Sequence, residues 1–149
     1  WAEQGQRIKE RLLQLVDEDT RAFDAILEAF RLPKGSEEEK AARKQAINEA
    51  TRYAIEVPLQ VMETALSSFA LLKAMTEEGN PNSITDAAVG ALCARAAVRG
   101  AAMNVRINLG DFKGDEAFAA DALRRVEQAE AQAADWERQI VELTQKALA

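Results

Sequence analysis

Histidine is absent from this chain. That removes the side chain which most often serves as general base and metal ligand near neutral pH. Acid–base chemistry must therefore fall to carboxylates, lysines, the single tyrosine Tyr53, or water. One cysteine, Cys93, excludes an internal disulfide and suits a reducing, cytoplasmic setting. Prolines and glycines are scarce, and most stand where a helix would begin or end. No window alternates apolar and polar residues with the two-residue period of a strand. There is no apolar run long enough to span a bilayer and no signal-like start, so no membrane partner is expected. Basic residues are outnumbered by acidic ones, giving a net charge of −6. A nucleic-acid partner, which needs a basic surface, is not expected either.

What remains is alanine-rich, charged and helical in its spacing. At 149 residues the chain is long enough for one domain with its own core. A first helix runs from the N-terminus to about Arg31, where Leu32-Pro33-Lys34-Gly35 stops it. Ser36 and Glu39 form a capping box for a second helix running towards Glu78. Pro58 removes one backbone bond inside it and predicts a bend near Val57. A third helix spans about Ser83 to Leu109 and is stopped by Gly110, with Ser83 or Asn82 as its cap. Gly114-Asp115 opens a fourth that runs to the C-terminus. The fold class is all-α: an antiparallel bundle of long helices with short connections, expected to dimerise.

The third helix is unusually small-sided. Gly90 and Gly100 sit within a run of alanines, and each glycine costs a helix about 1 kcal/mol relative to alanine. Such a pattern suits a backbone that another helix approaches closely. At 100° per residue, Gly90, Cys93, Ala97, Gly100, Asn104 and Asn108 fall within about 40° of Asp86. Arg95, Arg99 and Arg106 gather on the opposite side, as an anion-binding strip or as partners for acids on a neighbouring helix. The seam could pack on a helix of the same chain. Equally, two copies could cross antiparallel about Arg95, bringing Asp86 of one to Asn104 and Asn108 of the other. Cys93 reads as a small core residue. The amides of Asn104 and Asn108, if buried, need partners.

The first helix carries an apolar stripe of Ile8, Leu12, Leu15, Phe23, Ile26 and Phe30, with Asp19 inside it. A carboxylate facing a core is costly unless paired or protonated. Asp19 is therefore a candidate functional acid, raised in pKa if it lacks a cation, or else a buried acid satisfied by an arginine. Asp86, in the first turn of its helix, could equally serve the helix dipole and complete a cap with Ser83. No phosphate-cradling glycine loop, zinc-ligand spacing or nucleophile elbow is present.

At these residues the chain resembles the cyclodeaminase domain of formiminotransferase-cyclodeaminase and the related methenyltetrahydrofolate cyclohydrolases. The resemblance lies in LVDEDTRAFDAILEAFRLPK (Leu15 to Lys34), AIEVPLQVMET (Ala54 to Thr64), GNPNSITDAAVGAL and GAAMNVRINL. It implies an all-helical subunit, a homodimer or higher homo-oligomer, that binds a tetrahydrofolate derivative as substrate and needs no prosthetic group. It implies one of two reactions: formimidoyltetrahydrofolate closing to 5,10-methenyltetrahydrofolate with loss of ammonia, or that bridge opening to 10-formyltetrahydrofolate. The first is favoured, because the Leu15 to Lys34 stretch looks closest to the bifunctional enzymes. Carried over by position, Asp86 and Asp19 are the expected catalytic carboxylates. Asn82, Asn104 and Asn108 would orient the pterin or a water, and Arg106 and Lys34 would meet folate carboxylates. Members of that family carry an upstream helix preceded by a Pro-Gly-Gly-Gly-Ser segment. Residues 1–149 are thus expected to form a single domain of this type that lacks both.

Overall fold

Two of the four helices begin where the sequence supplies oxygen acceptors for unpaired backbone N–H groups. Ser36 Oγ accepts from the Glu39 amide at 3.1 Å, while Glu39 Oε2 accepts from the Ser36 amide at 3.1 Å and the Gly35 amide at 2.7 Å. Asp115 Oδ1 accepts from the Ala117 amide at 2.8 Å. The computed structural model describes residues 1–149 as four α-helices. These are α1 (Ala2–Arg31), α2 (Glu37–Glu78), α3 (Ile84–Asp111) and α4 (Glu116–Leu148), with a 3-10 turn at Pro81–Ser83 before α3.

That turn corrects one expectation. Neither Ser83 nor Asn82 caps α3 through its side chain; Asn80 Oδ1 instead accepts from the Asn82 amide at 3.0 Å, one turn earlier. Asp86 therefore completes no cap with Ser83, although it stands in the first turn, where a negative charge favours the dipole. Helix α2 is also apolar enough over 18 residues to meet the length and composition of a membrane span, contrary to the reading of the sequence. Its place in the bundle supplies the reason. Ile55, Leu59, Met62 and Phe69 of α2 are the centre of the core.

Around them pack Ala91, Val98, Ala102 and Val105 of α3 and Val126, Ala133 and Ile140 of α4, all at or near zero exposure. Alanine on α3 lets three backbones approach closely, and Phe69 fills the remaining space. Full burial of such a side chain contributes about 2–3 kcal/mol. Helix α1 stands apart from this cluster. It packs on the other flank of α2 through Leu15 and Ala22 against Ala54 and Val57, with Leu12 and Ile26 half-buried beside them.

Because only α2 supports α1, the buried stripe is narrower than the periodicity suggests. Phe23 and Phe30 are exposed. Phe30 is instead covered by the Arg43 guanidinium, 5.4 Å from its ring centre. Asp19 is exposed too, not a core carboxylate. It lies about 40° round the helix from Leu15, where α1 opens onto the space beside α2 instead of closing against it.

Candidate active-site cleft

Helices α1 and α3 flank α2 on two sides, and the space between them is a cleft of about 460 Å³. Pro58 and Val61 form its floor, Leu12, Val16, Asp19 and Thr20 one wall, and Ala101 and Asn104 the other. The cleft thus brings together Asp19 and Asn104, which are 85 positions apart (104 − 19).

The floor depends on a repair that the sequence does not announce. Pro58 has no N–H, so the Ala54 carbonyl one turn earlier loses its helical partner. The Asn108 side-chain amide of α3 donates to that oxygen at 2.7 Å. Helix α2 is thereby pinned to α3 beside the cleft, and half-buried Asn108 is satisfied by backbone. Asn104, one turn away, is exposed.

The α1 wall is fixed by a second network. The Arg11 guanidinium donates to both oxygens of Glu18, at 2.6 and 3.2 Å, and also to Gln60 Oε1 on α2. The hydrogen bond from Arg11 holds the Glu18 carboxyl below the usual range, and the same bond raises Arg11. This fork sets the register of α1 on α2 next to Leu12, Leu15 and Asp19. Reading the sequence missed Arg11, Glu18 and Gln60. The i, i+7 spacing of Arg11 and Glu18 was the available signal, since it sets both on one helix flank.

The other expected site residues lie elsewhere in the single chain. Asp86 is exposed at the start of α3, about 27 Å along the helix from Asn104 at 1.5 Å per residue. Asn82 is exposed in the 3-10 turn. Arg106 faces α4, where it pairs with Glu130 at 2.6 Å; that bond raises the arginine and lowers the glutamate. Arg95 likewise meets Glu137 at 3.5 Å, so these arginines of the strip serve the α3–α4 contact. Lys34 lines a separate cavity with other cations. No three carboxylate or thiol groups converge closely enough to hold a metal ion.

The small-sided face of α3 is not covered by this chain. Val89, Leu92, Cys93, Ala96, Ala97, Gly100, Met103 and Ile107 are exposed, so Cys93 is a surface thiol and not a core residue. Packing of the seam inside the chain is thus overturned, except at Gly90, where an added Cβ would meet Leu72 Cδ2 at 2.7 Å, and at Asn108, which is bonded to α2. The uncovered stripe centres about 60° from the predicted seam. Asp86 and Asn104 lie along its edge nearest the cleft.

Comparison with known proteins agrees with this architecture. The crystal structure described as formiminotetrahydrofolate cyclodeaminase from Thermotoga maritima superposes with a TM-score of 0.81 at 24% identity, covering 97% of this chain and 67% of that one. Methenyltetrahydrofolate cyclohydrolase of Methylorubrum extorquens is 38% identical over 125 residues, or 84% of this chain and 60% of that protein. Formimidoyltransferase-cyclodeaminase of Sus scrofa is 40% identical over 116 residues, 78% of this chain and 21% of that protein. The chain therefore spans only part of the length of the curated relatives it matches. A family profile described as formiminotransferase-cyclodeaminase matches residues 1–128, and the chain belongs to that family.

Proposed function

We propose that this chain is the folate-handling part of a formimidoyltetrahydrofolate cyclodeaminase working as a homodimer. In that reaction N10 attacks the formimidoyl carbon, giving a tetrahedral carbon between N5 and N10. N10 gives up its proton, the amino group gains one, and ammonia leaves as the methenyl bridge forms. A carboxylate placed between the two nitrogens can carry that proton, typically accelerating the step by about 10²–10⁴-fold.

The cleft carries this reading, because it sets a carboxylate (Asp19) opposite an amide (Asn104) over an apolar floor. The pterin's ring N–H and amine suit Asp19 as acceptor. Asn104 would orient the ring or the leaving group, and Asn108 acts by holding the floor. Asp86 joins them from the partner subunit. An antiparallel α3–α3 pair centred near Arg95 sets Asp86 of one copy beside Asn104 of the other. A two-fold axis perpendicular to both helices keeps the cleft edges of the two on the same side. The uncovered apolar face of α3 is the surface such a pair would bury.

Subunit mixing tests both parts in the full-length protein. Asp19→Asn and Asp86→Asn are each expected to lose about 10²–10⁴-fold in kcat, with helicity kept. Mixed together, they regain about a quarter of wild-type activity: half the dimers are hybrids, each with one intact site of two. Absence of recovery would show that both acids act within one chain. Formation of methenyltetrahydrofolate is followed by its near-ultraviolet absorbance. The cyclohydrolase reading draws on the match to the Methylorubrum protein, which extends over 84% of this chain. It predicts loss of that absorbance from added methenyltetrahydrofolate, and no ammonia.

A further inference from the structure

At one end of the bundle the α1–α2 and α3–α4 connections meet the first turns of α2 around a cavity of about 380 Å³. Lys34, Lys40, Arg43, Lys44 and Lys113 line it, against one carboxylate, Asp111. Five cations converging from three separated segments are unexpected in a chain of net charge −6. Their nearby acids are mostly engaged elsewhere. Glu39 is taken up by the α2 cap, while Glu37 pairs with Lys40 at 2.6 Å and offsets that one cation, leaving Lys34, Arg43, Lys44 and Lys113 without an acid partner.

The site is also held in shape. The Asn48 side chain clasps the Lys113 backbone, accepting from its N–H at 3.3 Å and donating to its C=O at 3.4 Å. The Arg43 guanidinium donates to the Phe30 carbonyl at 3.2 Å and lies over the Phe30 ring, so it is oriented without losing its charge to an acid. Lys34 and Lys44 extend from either side of this frame with free ammonium groups. A concave surface focuses such like charges into a local positive potential.

We propose that this cavity binds a compact polyvalent anion, one carrying two or more phosphate or carboxylate groups. The proposal is independent of the reaction assigned to the Asp19 cleft. Each lysine contributes little alone, because exposed ion pairs are weak and screened. Several converging on one multiply charged ligand act together.

Calorimetric titration of the full-length protein with tripolyphosphate and, separately, citrate tests it at low ionic strength. The expected result is saturable binding of at least one anion, weakened about tenfold or more in Lys34→Ala/Lys44→Ala/Lys113→Ala and at most about twofold in Lys9→Ala/Arg124→Ala/Lys146→Ala, which removes equal charge elsewhere. Preference for tripolyphosphate identifies a phosphate site, and preference for citrate a carboxylate site. Protection of Lys34, Lys44 and Lys113 from acetylation by the bound anion gives a readout that needs no variant. Absence of binding with both anions, equal weakening in the two triple variants, or acetylation unchanged by anion would overturn the assignment.

Discussion

Along α3, the flank with Ala91, Val98, Ala102 and Val105 is sealed against α2 and α4, while Val89, Leu92, Ala96, Met103 and Ile107 on the other flank face solvent. The two flanks draw on the same few residue types. Their difference lies in what stands opposite. The sealed flank meets Phe69 and Val126 of its own chain, and its margin carries arginines answered by Glu130 and Glu137. The bare flank is answered by nothing within the chain. An exposed apolar stripe of this length is the kind of surface that marks an interaction site, and it is the ground on which the α3–α3 pair is proposed.

Overpacking separates the flanks most sharply. Ala102 has zero exposure, and Ala102→Leu is expected to destabilise the subunit by about 1–3 kcal/mol in urea denaturation. Ala97→Leu, on the bare side, should stay within about 0.5 kcal/mol of wild type when the protein is dilute. It should nevertheless weaken self-association in sedimentation and reduce turnover in parallel. Equal destabilisation by both variants would mean that the flanks do not differ.

The next comparison falls at the edge between them, where Asn108 repairs the backbone at Pro58. Asn108→Ala leaves the Ala54 carbonyl without its donor and should cost about 1–3 kcal/mol. Pro58→Ala returns a backbone N–H to the same oxygen. In that background the loss of Asn108 should matter less, with a coupling of about 1 kcal/mol in a double-mutant cycle. Additive effects would show that the bond does not serve the carbonyl freed by Pro58.

Acid should loosen the sealed side before the bare one. Glu130 and Glu18 are held below the ordinary carboxylate value of 4.5 by hydrogen bonds from Arg106 and Arg11. A lowered folded-state pKa gives stability that is present above the unfolded value and lost as pH falls through the folded one. Unfolding free energy should therefore decline below about pH 4.5, and Glu130→Gln should flatten part of that decline. Wherever the decline sets in, loss of the Arg106–Glu130 bond should expose amides of α3 and α4 to hydrogen exchange together.

How far the sequence disclosed all this follows the range of the forces concerned. Ser36 with Glu39, Asp115 and Gly79 act over a few residues, so the helix ends were legible within a residue or two; Gly110, read as the stop of α3, lies inside it, and the helix runs on to Asp111. Periodicity placed Asp19 on a stripe but carried no information on which neighbour would cover it. Helix α1 has α2 on one flank only, and the carboxylate came out at a cleft wall instead of in a core. The arginine strip was legible as acid-seeking, whereas its partners Glu130 and Glu137 depend on how α4 docks. The need created by Pro58 could be read from its missing N–H, but Asn108 as the donor could not. Self-complementary spacing raised Asp86 and Asn104 together, and no single chain can bring them into contact.

Two of the three glycines of α3, Gly90 and Gly100, give the smallest and most selective test. Gly90 is explained within the chain: a Cβ there would press on Leu72 Cδ2 at 2.7 Å. Gly100 is not, since a Cβ there meets nothing within 4 Å. In the isolated subunit Gly100→Ala should therefore raise stability by about 0.5–1 kcal/mol, the ordinary gain of alanine over glycine in a helix. Gly90→Ala should gain less, because Leu72 must first turn aside. If a second copy lies on the bare flank, the same Gly100→Ala methyl pushes two α3 backbones apart and weakens the dimer while strengthening the monomer. Opposite signs from one methyl group, read by denaturation of dilute protein and by sedimentation, would assign Gly100 to an interface. A gain in both measurements would leave that glycine without a contact to explain it.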